Sequence, residues 1–388
     1  MVRFNPYSYE FHEDPFPVYR QLRDEAPCYR DPDGFFALSR YDDVVAALHD
    51  PDRYCSRFGI TLEEGNPLPM LLTTDPPEHT RLRRIVSRAF TPRRVADLEP
   101  TIRTLSVQYL EPLLARDDVD LVRDYAARLP MDVIATMLGV PAADQDELRG
   151  WSDALLHREE GVAEVTPEGV DASYRLYKYF SAFVADRRAA TGARPDDLTT
   201  ALVTAESEGE RLTDEQVVGF LFLLIIAGNE TTTKLLGNAL LALQRFPAER
   251  AKIVADRARI PDAVEETLRY EGSTQLMART LTVDVPLHGD VMTAGAKVLL
   301  LLGSANRDER VWDRPDVFDI DRPWPTHHLA FGHGIHVCLG AALARLEMRV
   351  SLEELLARHP AYEIDESGLA RVHSGNVRGY SRMPIRLS

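Results

Sequence analysis

From Thr213 to about Arg245 the chain carries an uninterrupted helical pattern that any fold it adopts must accommodate. Thr213-Asp214-Glu215-Gln216 reads as a capping box, with Thr213 as the N-cap, and Phe246-Pro247 stops the pattern. About 33 residues at 1.5 Å each predict a helix of roughly 50 Å, long enough to cross a whole domain. One face, through Phe220, Leu224, Ala227 and Gly228, is apolar and would be core in most proteins. Asn229-Glu230-Thr231-Thr232 breaks it. A carboxylate and hydroxyls set after so apolar a run cost desolvation energy unless they find partners. The plain reading turns Glu230 to solvent and lets Thr231 bond back to the preceding turn, bending the helix. The sharper one places an acid beside an alcohol for chemistry.

Cys338 is one of only three cysteines, in Phe331-Gly332-His333-Gly334-Ile335-His336-Val337-Cys338-Leu339-Gly340. The apolar stripe Leu343, Leu346, Val350 and Leu355 predicts a helix directly after it, ended by His359-Pro360. A thiol at that N-terminus is biased toward thiolate, and Gly334 and Gly340 let backbone approach something bulky. Zinc fits poorly, since structural sites want four Cys or His ligands at short spacing. A hydrolytic cysteine would need a His base that spacing alone neither supplies nor excludes. A free Cys is commonly a small buried hydrophobe. The glycine-flanked lone thiolate otherwise reads as an axial ligand to a metal macrocycle.

The run Phe331…Gly334…Cys338…Gly340 resembles the haem-binding loop of the cytochromes P450, and three further motifs stand in that family's order. Ala227-Gly228-Asn229-Glu230-Thr231-Thr232 is similar to its oxygen-activating helix segment, Glu266-Thr267-Leu268-Arg269 to its E-x-x-R, and Asp75-Pro76-Pro77-Glu78-His79 through Arg83 to a stretch of its soluble bacterial members. The resemblance spans about Pro15 to the C-terminus. It implies a mainly α, multihelical fold over residues 1–388: a single haem domain with a small β-rich lobe and no fused reductase. The implied activity is a haem-thiolate monooxygenase using haem b and O2. Cys338 would be the axial iron ligand and Glu230 with Thr231 the catalytic pair that delivers protons, over an oxygen groove opened by Gly228. His79, Arg83, Arg279 and His336 would hold the haem propionates, with Phe331, Gly340 and Ala227 also against the cofactor. Arg279 is expected to lead into a β-like stretch, Leu281 to Leu287.

Glu266 and Arg269 are expected to form a structural buried ion pair. Relatives often add an arginine where Val317 stands here, a place Arg322 is available to fill. By family position the substrate pocket would be lined from Ile60 to Leu72, Trp151 to Tyr179, the long helix, Thr274 to Ala278 and the strand-like end at Val377. The residues named for it are Leu71, Leu72, Leu224, Gly228, Gln275, Leu276 and Val377. Their aliphatic character implies a sizeable apolar molecule, of the kind tailored in secondary metabolism. Glu63 and Glu64 offer charges for a cationic group, though a solvated loop is the plainer reading, and Glu159-Glu160-Gly161-Val162 looks like a mobile lid.

The net charge of −16 argues against nucleic-acid binding. No signal peptide or membrane anchor is recognised, which predicts a soluble, cytoplasmic protein; a monomer is expected. Against that acidity, His79 to Arg94 holds Arg81, Arg83, Arg84, Arg88, Arg93 and Arg94 and no acid. Arg81, Arg84 and Arg88 are the expected docking patch for a separate ferredoxin, itself served by a ferredoxin reductase. Phenol coupling, desaturation, peroxide-driven oxidation and a catalytically silent docking homologue are the alternative outcomes for such a chain. Glu230 and Thr231 argue against the peroxide version.

Overall fold

The capping box forms as predicted. Thr213 accepts from the Gln216 N–H, the Gln216 side chain accepts from the Thr213 N–H, and the helix runs Asp214–Arg245. The computed structural model describes residues 2–32, 34–63, 68–207 and 209–387. In chain order the helices that build the site are α1 (Glu78–Ala89), α2 (Arg128–Leu138), α3 (Gln145–Leu156), α4 (Pro167–Ala189), α5 (Asp214–Arg245), α6 (Ile260–Glu271) and α7 (Ala341–Arg358). α5 packs against α2, α3, α4, α6 and α7, so it is the axis of the main core, and most of its residues are buried. It is long and apolar enough to cross a bilayer by composition, but 61% of its most apolar window is buried inside the fold. Among the described residues it is the one helix that passes that test, and it passes as a core helix.

The β-rich lobe is a five-stranded sheet. β1 (Cys28–Arg30), β2 (Phe36–Leu38), β3 (Tyr54–Cys55), β4 (Met277–Leu281) and β5 (Lys297–Leu300) lie in the order β1-β2-β5-β4-β3. β5 runs parallel to β2 and antiparallel to β4, with Val298 opposite Arg279. The strand around Arg279 therefore starts at Met277, earlier than Leu281, and only a short second strand covers Val285–Leu287.

Side chains alternate across this sheet as a period of two demands. Leu38, Val298, Leu300 and Leu281 enter one apolar cluster with Met277 against it, while Leu276, Ala278 and Leu299 enter another with Val2, Phe4, Phe11 and Tyr19. Arg279 shares the face of Met277 and Leu281. Leu276 points the other way, which decides its role below.

Candidate active site

The cysteine loop is fixed by backbone geometry. Cys338 N–H donates to the Phe331 carbonyl at 2.9 Å, closing the loop on itself, and α7 starts three residues on. Gly334 has φ +69°, and a Cβ there would stand 2.4 Å from the Leu48 carbonyl oxygen, so only glycine fits. Cys338 is surrounded by protein on most sides yet keeps an accessible face, whereas Cys28 and Cys55 are buried in the sheet. The helix terminus does not tip this sulfur to thiolate unaided. Burial pushes the thiol up, and the N–H groups of Gly340 and Ala341 with Arg83 and Arg345 pull it back only in part. A metal cation at the sulfur would reverse that balance. The Phe331 ring lies 4.6 Å under the Arg345 guanidinium, so it is held at the base of the loop.

The four residues assigned to an anionic partner converge. The rings of His79 and His336 are 4.2 Å apart, and Ser56 Oγ meets His336 Nε2 at 3.2 Å. Both ring nitrogens of His79 are buried without a hydrogen-bond partner. Arg279 is 3% exposed, and Nη1 donates to the Ala278 carbonyl at 2.8 Å. Burial pushes Arg279 down to about 10, with Asp75 opposing. His336 is pushed down to about 3 by burial first and then by Arg279, His79 and Arg83. Burial also lowers Arg83. Among the described residues no carboxylate makes an ion pair with Arg83 or Arg279. Crowded, desolvated cations and an orphaned histidine are what two carboxylates would relieve. The residues fit haem: Cys338 for the iron, and Arg83, Arg279, His79 and His336 for its propionates.

α5 packs against α7, the helix that begins three residues after Cys338. Ala227 is exposed in mid-helix, and Leu223, Leu224, Ile226, Gly228 and Thr231 around it are half-buried, an accessible patch between the buried stretches 217–222 and 232–243. Thr231 Oγ1 donates to the Ala227 carbonyl at 2.7 Å, the back-bond that the plain reading anticipated. Glu230 does not reach solvent. It is 5% exposed, Lys234 Nζ lies 3.2 Å from its Oε2, and Asp153 on α3 is a charged neighbour.

Several pocket expectations need correction. The missing side chain of Gly228 faces Ile134 of α2, where a Cβ would come within 2.1 Å of Cδ1, so this glycine serves helix packing and not an oxygen groove. Gln275 is buried, donates to the Gly272 carbonyl at 2.7 Å and accepts from Tyr19 at 3.3 Å. Leu276 lies in the N-terminal aromatic cluster. Gln275, Leu276 and Val377 together border a cleft of about 20 Å³ beside Phe11 and Tyr19, behind the sheet. Leu71 is packed in the main core, and Leu72 is half-buried beside it in the turn Leu71–Thr73. Glu63 is satisfied within the chain by Arg158 Nη2 at 2.6 Å and Tyr7 Oη at 3.1 Å, while Glu64 lies outside the described residues. The loop with Glu159-Glu160-Gly161-Val162 does join two helices, α3 and α4, but is tied down: Tyr9 N–H donates to Glu160, and Gly161 N–H to the Tyr7 carbonyl.

The ion-pair expectation is met in full. Arg269 grips Glu266 with two bonds of 2.7 and 2.8 Å, and Arg322 Nε joins at 3.1 Å, filling the place that Val317 leaves open.

Comparison with known proteins gives the family its name. The cytochrome P450 family model matches residues 168–360. A putative cytochrome P450 123 of Mycobacterium tuberculosis is 46% identical over 98% of this chain and 96% of its own length.

The chain belongs to the cytochrome P450 family.

The vitamin D(3) 25-hydroxylase of Pseudonocardia autotrophica is 39% identical over 98% of this chain and 96% of its own length. The structure of cytochrome P450 CYP109Q5 from Chondromyces apiculatus superposes with TM-score 0.90 at 36% identity, over 100% of this chain and 98% of that one. CYP109E1 from Bacillus megaterium, solved with testosterone, gives 0.85 at 35% identity, over 97% and 99%. The mainly α P450 fold, haem b and O2 as cofactor and co-substrate, and monooxygenase activity follow from membership. P450s generally bind small molecules and draw electrons from separate redox partners.

Three residues near this P450's site were not singled out from sequence. Lys234 was available as an i,i+4 partner of Glu230. Asp153 and Glu347 meet α5 only through tertiary packing. Glu347, on α7, is buried with Oε1 unpartnered; burial raises its pKa well above the ordinary 4.5, against one hydrogen bond with Thr232. A raised pKa means the folded state holds this proton where the unfolded chain has lost it. That stability is full below pH 4.5 and falls by about 1.4 kcal/mol per pH unit until the folded pKa is reached. Glu347→Gln keeps a partner for Thr232 and removes the slope. Urea unfolding of the holoprotein at pH 5.5 and 7.5 should show the glutamine variant losing less stability with rising pH, and equal losses would contradict a neutral Glu347.

Proposed function

We propose that this P450 hydroxylates or epoxidises a steroid- or macrolide-sized apolar molecule, in secondary-metabolite tailoring, with electrons from a separate ferredoxin. It acts as a single haem domain, monomeric and cytoplasmic. The observation that carries this reading is the accessible patch around Leu224, Ala227 and Thr231, set between two buried stretches of the long helix. An aliphatic floor beside one hydroxyl suits a large apolar ligand held by shape. The relatives named for vitamin D and solved with testosterone agree in size and polarity.

Haem ligated by Cys338 supplies oxygen activation. Around it the chain's residues have distinct tasks. Arg83, Arg279, His79 and His336 would orient the cofactor through its carboxylates. The buried walls of α5 exclude water, and Glu230, an anion beside Lys234, would pass on with Thr231 the proton that oxygen cleavage consumes. A panel of steroids, secosteroids and macrolides, followed by the low-to-high-spin shift of the holoenzyme, tests the substrate class. No shift with any member at saturation overturns it.

For the ferredoxin, Arg84 and Arg88 are exposed on α1, and Arg88 donates to the Glu206 backbone carbonyl at 3.4 Å. Arg81 is the least exposed of the three, with 22% of its side chain accessible, and pairs with Glu78 at 2.6 Å and Glu210 at 3.7 Å. Reversing both Arg84 and Arg88 to Glu should slow ferredoxin-driven reduction at low salt by roughly tenfold or more. Dithionite reduction and ligand spin shifts should not change. An unaltered ferredoxin rate removes this surface from the docking site.

A further inference from the structure

An open cleft of about 810 Å³ lies between the C-terminal half of α5, the end of α6, the N-terminal segment 13–20 and the C-terminal segment 366–380. None of the residues assigned to haem or to its axial sulfur lines it. Five arginines and five carboxylates do, and they are sorted by depth. Arg20 with Asp316 and Arg245 with Glu366 pair on the exposed rim, where Glu13 and Asp14 are exposed as well. Below the rim stand Arg307, Arg371 and Arg378, each 6–10% exposed, and one carboxylate, Glu271. The deep wall therefore carries an excess of positive charge.

Two of the three deep guanidinium groups are engaged by the protein. Arg378 Nε pairs with Glu271 at 2.7 Å, and its Nη atoms donate to the His12 and Glu13 carbonyls. Arg307 binds Glu271 at 3.1 Å and the Tyr270 carbonyl, and lies 3.4 Å from the centre of the Phe16 ring. Arg371 is different. Among the described residues its side chain makes no hydrogen bond, and its Nη1 is wholly buried. Its one ion pair is a 3.9 Å approach to Glu13, a carboxylate 63% exposed, and its guanidinium sits 4.1 Å over the Tyr380 ring. Burial and then Arg378 lower its pKa, against Tyr380, Glu271 and Glu13. A guanidinium taken out of water with none of its donors satisfied is costly. The same cleft has an acceptor in a like state. Asn238 donates through Nδ2 to the Glu271 and Arg378 carbonyls, while its buried Oδ1 has no partner.

We propose that this cleft is a binding site, separate from the haem pocket, for a small hydroxycarboxylic acid, with its carboxylate on Arg371 and its hydroxyl donating to Asn238. A carboxylate matches the fork of a guanidinium, and one open fork calls for one carboxylate. A phosphate dianion would seek further open donors, which Arg307 and Arg378 no longer offer, and it would have to pass the rim carboxylates. Glu13 yields the fork at little cost, because a pair so exposed is worth little. Leu241 and Leu369 on the wall leave an apolar surface for a short carbon chain.

Calorimetric titration of the holoenzyme with lactate, propionate and inorganic phosphate tests the site. Lactate should give a saturable heat in the millimolar range. Propionate, which lacks the hydroxyl, and phosphate should both bind several-fold more weakly. Arg371→Met should weaken lactate roughly tenfold or more, and Arg371→Lys, which keeps the charge without the fork, should weaken it as well. Imidazole bound at the haem iron should leave lactate affinity unchanged. Urea unfolding without lactate separates binding from a structural role: Arg371→Met should be at least as stable as the wild type, since a buried charge without hydrogen bonds has been removed. A less stable methionine variant makes Arg371 structural and overturns the site. Absent lactate heat, lactate binding that survives Arg371→Met, or competition from imidazole overturns it too. Preference for phosphate overturns the carboxylate, and equal affinity for propionate and lactate overturns the contact with Asn238.

Discussion

Cys338→Ser is expected to fold, to bind haem weakly and to lose oxygen insertion by at least roughly a thousandfold, about 4 kcal/mol of barrier. The substitution is nearly isosteric, and the loop does not depend on the sulfur. Its closure comes from Cys338 N–H on the Phe331 carbonyl and from glycine at 334, neither of which changes. What changes is the ligand. A thiolate pushes electron density to iron and favours O–O cleavage. The Gly340 and Ala341 N–H groups, Arg83 and Arg345 all favour a negative atom at this position, yet burial holds even the thiol protonated without a cation. A serine hydroxyl, far weaker as an acid, has no prospect of ionising there. The check is the reduced carbon-monoxide spectrum. The variant should lose the red-shifted Soret band after which the family is named. If the band survives, the ligand is elsewhere, and the remaining cysteines make that implausible to rescue: Cys28 and Cys55 are buried in β1 and β3, and burial drives Cys28 up to about 11.

Elements whose determinants are local in sequence were legible. The capping box fixed the start of α5, Phe246-Pro247 its end, and the Leu343–Leu355 stripe the helix after the cysteine. Glu266 and Arg269 are three apart on one helix, and their pairing is observed. The motif residues His79, Arg83, Arg279 and His336 meet although they come from three distant segments, which composition and periodicity alone could not show. The misplaced pocket residues share one cause. Gln275 and Leu276 precede the strand Met277–Leu281 and are both taken up by the N-terminal segment, Gln275 by Tyr19 and Leu276 by the aromatic cluster, a tertiary contact that neither residue announces. Gly228 failed differently: an empty side can receive a ligand or a neighbouring helix, and Ile134, 94 positions earlier, takes it. The arginine run at 81–94 contains no acid, but Glu210 arrives from a distant hairpin to occupy Arg81. Asp153 and Glu230 likewise lie on different helices, and nothing in either segment announces the other.

Glu266→Ala is expected to destabilise the protein by roughly 3–5 kcal/mol, a third or more of the total stability of a typical domain. Glu266 and Arg269 have side chains with no exposure at all, and Arg322 shows only 3%. One carboxylate therefore holds two buried guanidinium groups, and it also accepts from Asp319 N–H at 2.9 Å. Removing it leaves two like charges side by side where the fold shields them from solvent. The arginines matter for a further reason. Arg269 donates to the carbonyls of Asn306, Pro315 and Val317 at 2.9–3.1 Å, and Arg322 to those of Asp313, Arg314 and Val317. Together they clamp the segment 313–317 that leads to the cysteine loop. That clamp explains how the chain tolerates Val317: an arginine five residues later reaches the Val317 carbonyl at 2.7 Å and the same glutamate. Arg269→Ala should cost more than Arg322→Ala, because it also loses the bidentate bond. The double variant should cost less than the sum of the two, since each single loss already loosens the clamp they share. Denaturant unfolding of the four proteins, with haem retention measured alongside, gives the coupling directly. Strict additivity would mean that the two arginines act separately and that Arg322 does not do the work of the missing residue at 317.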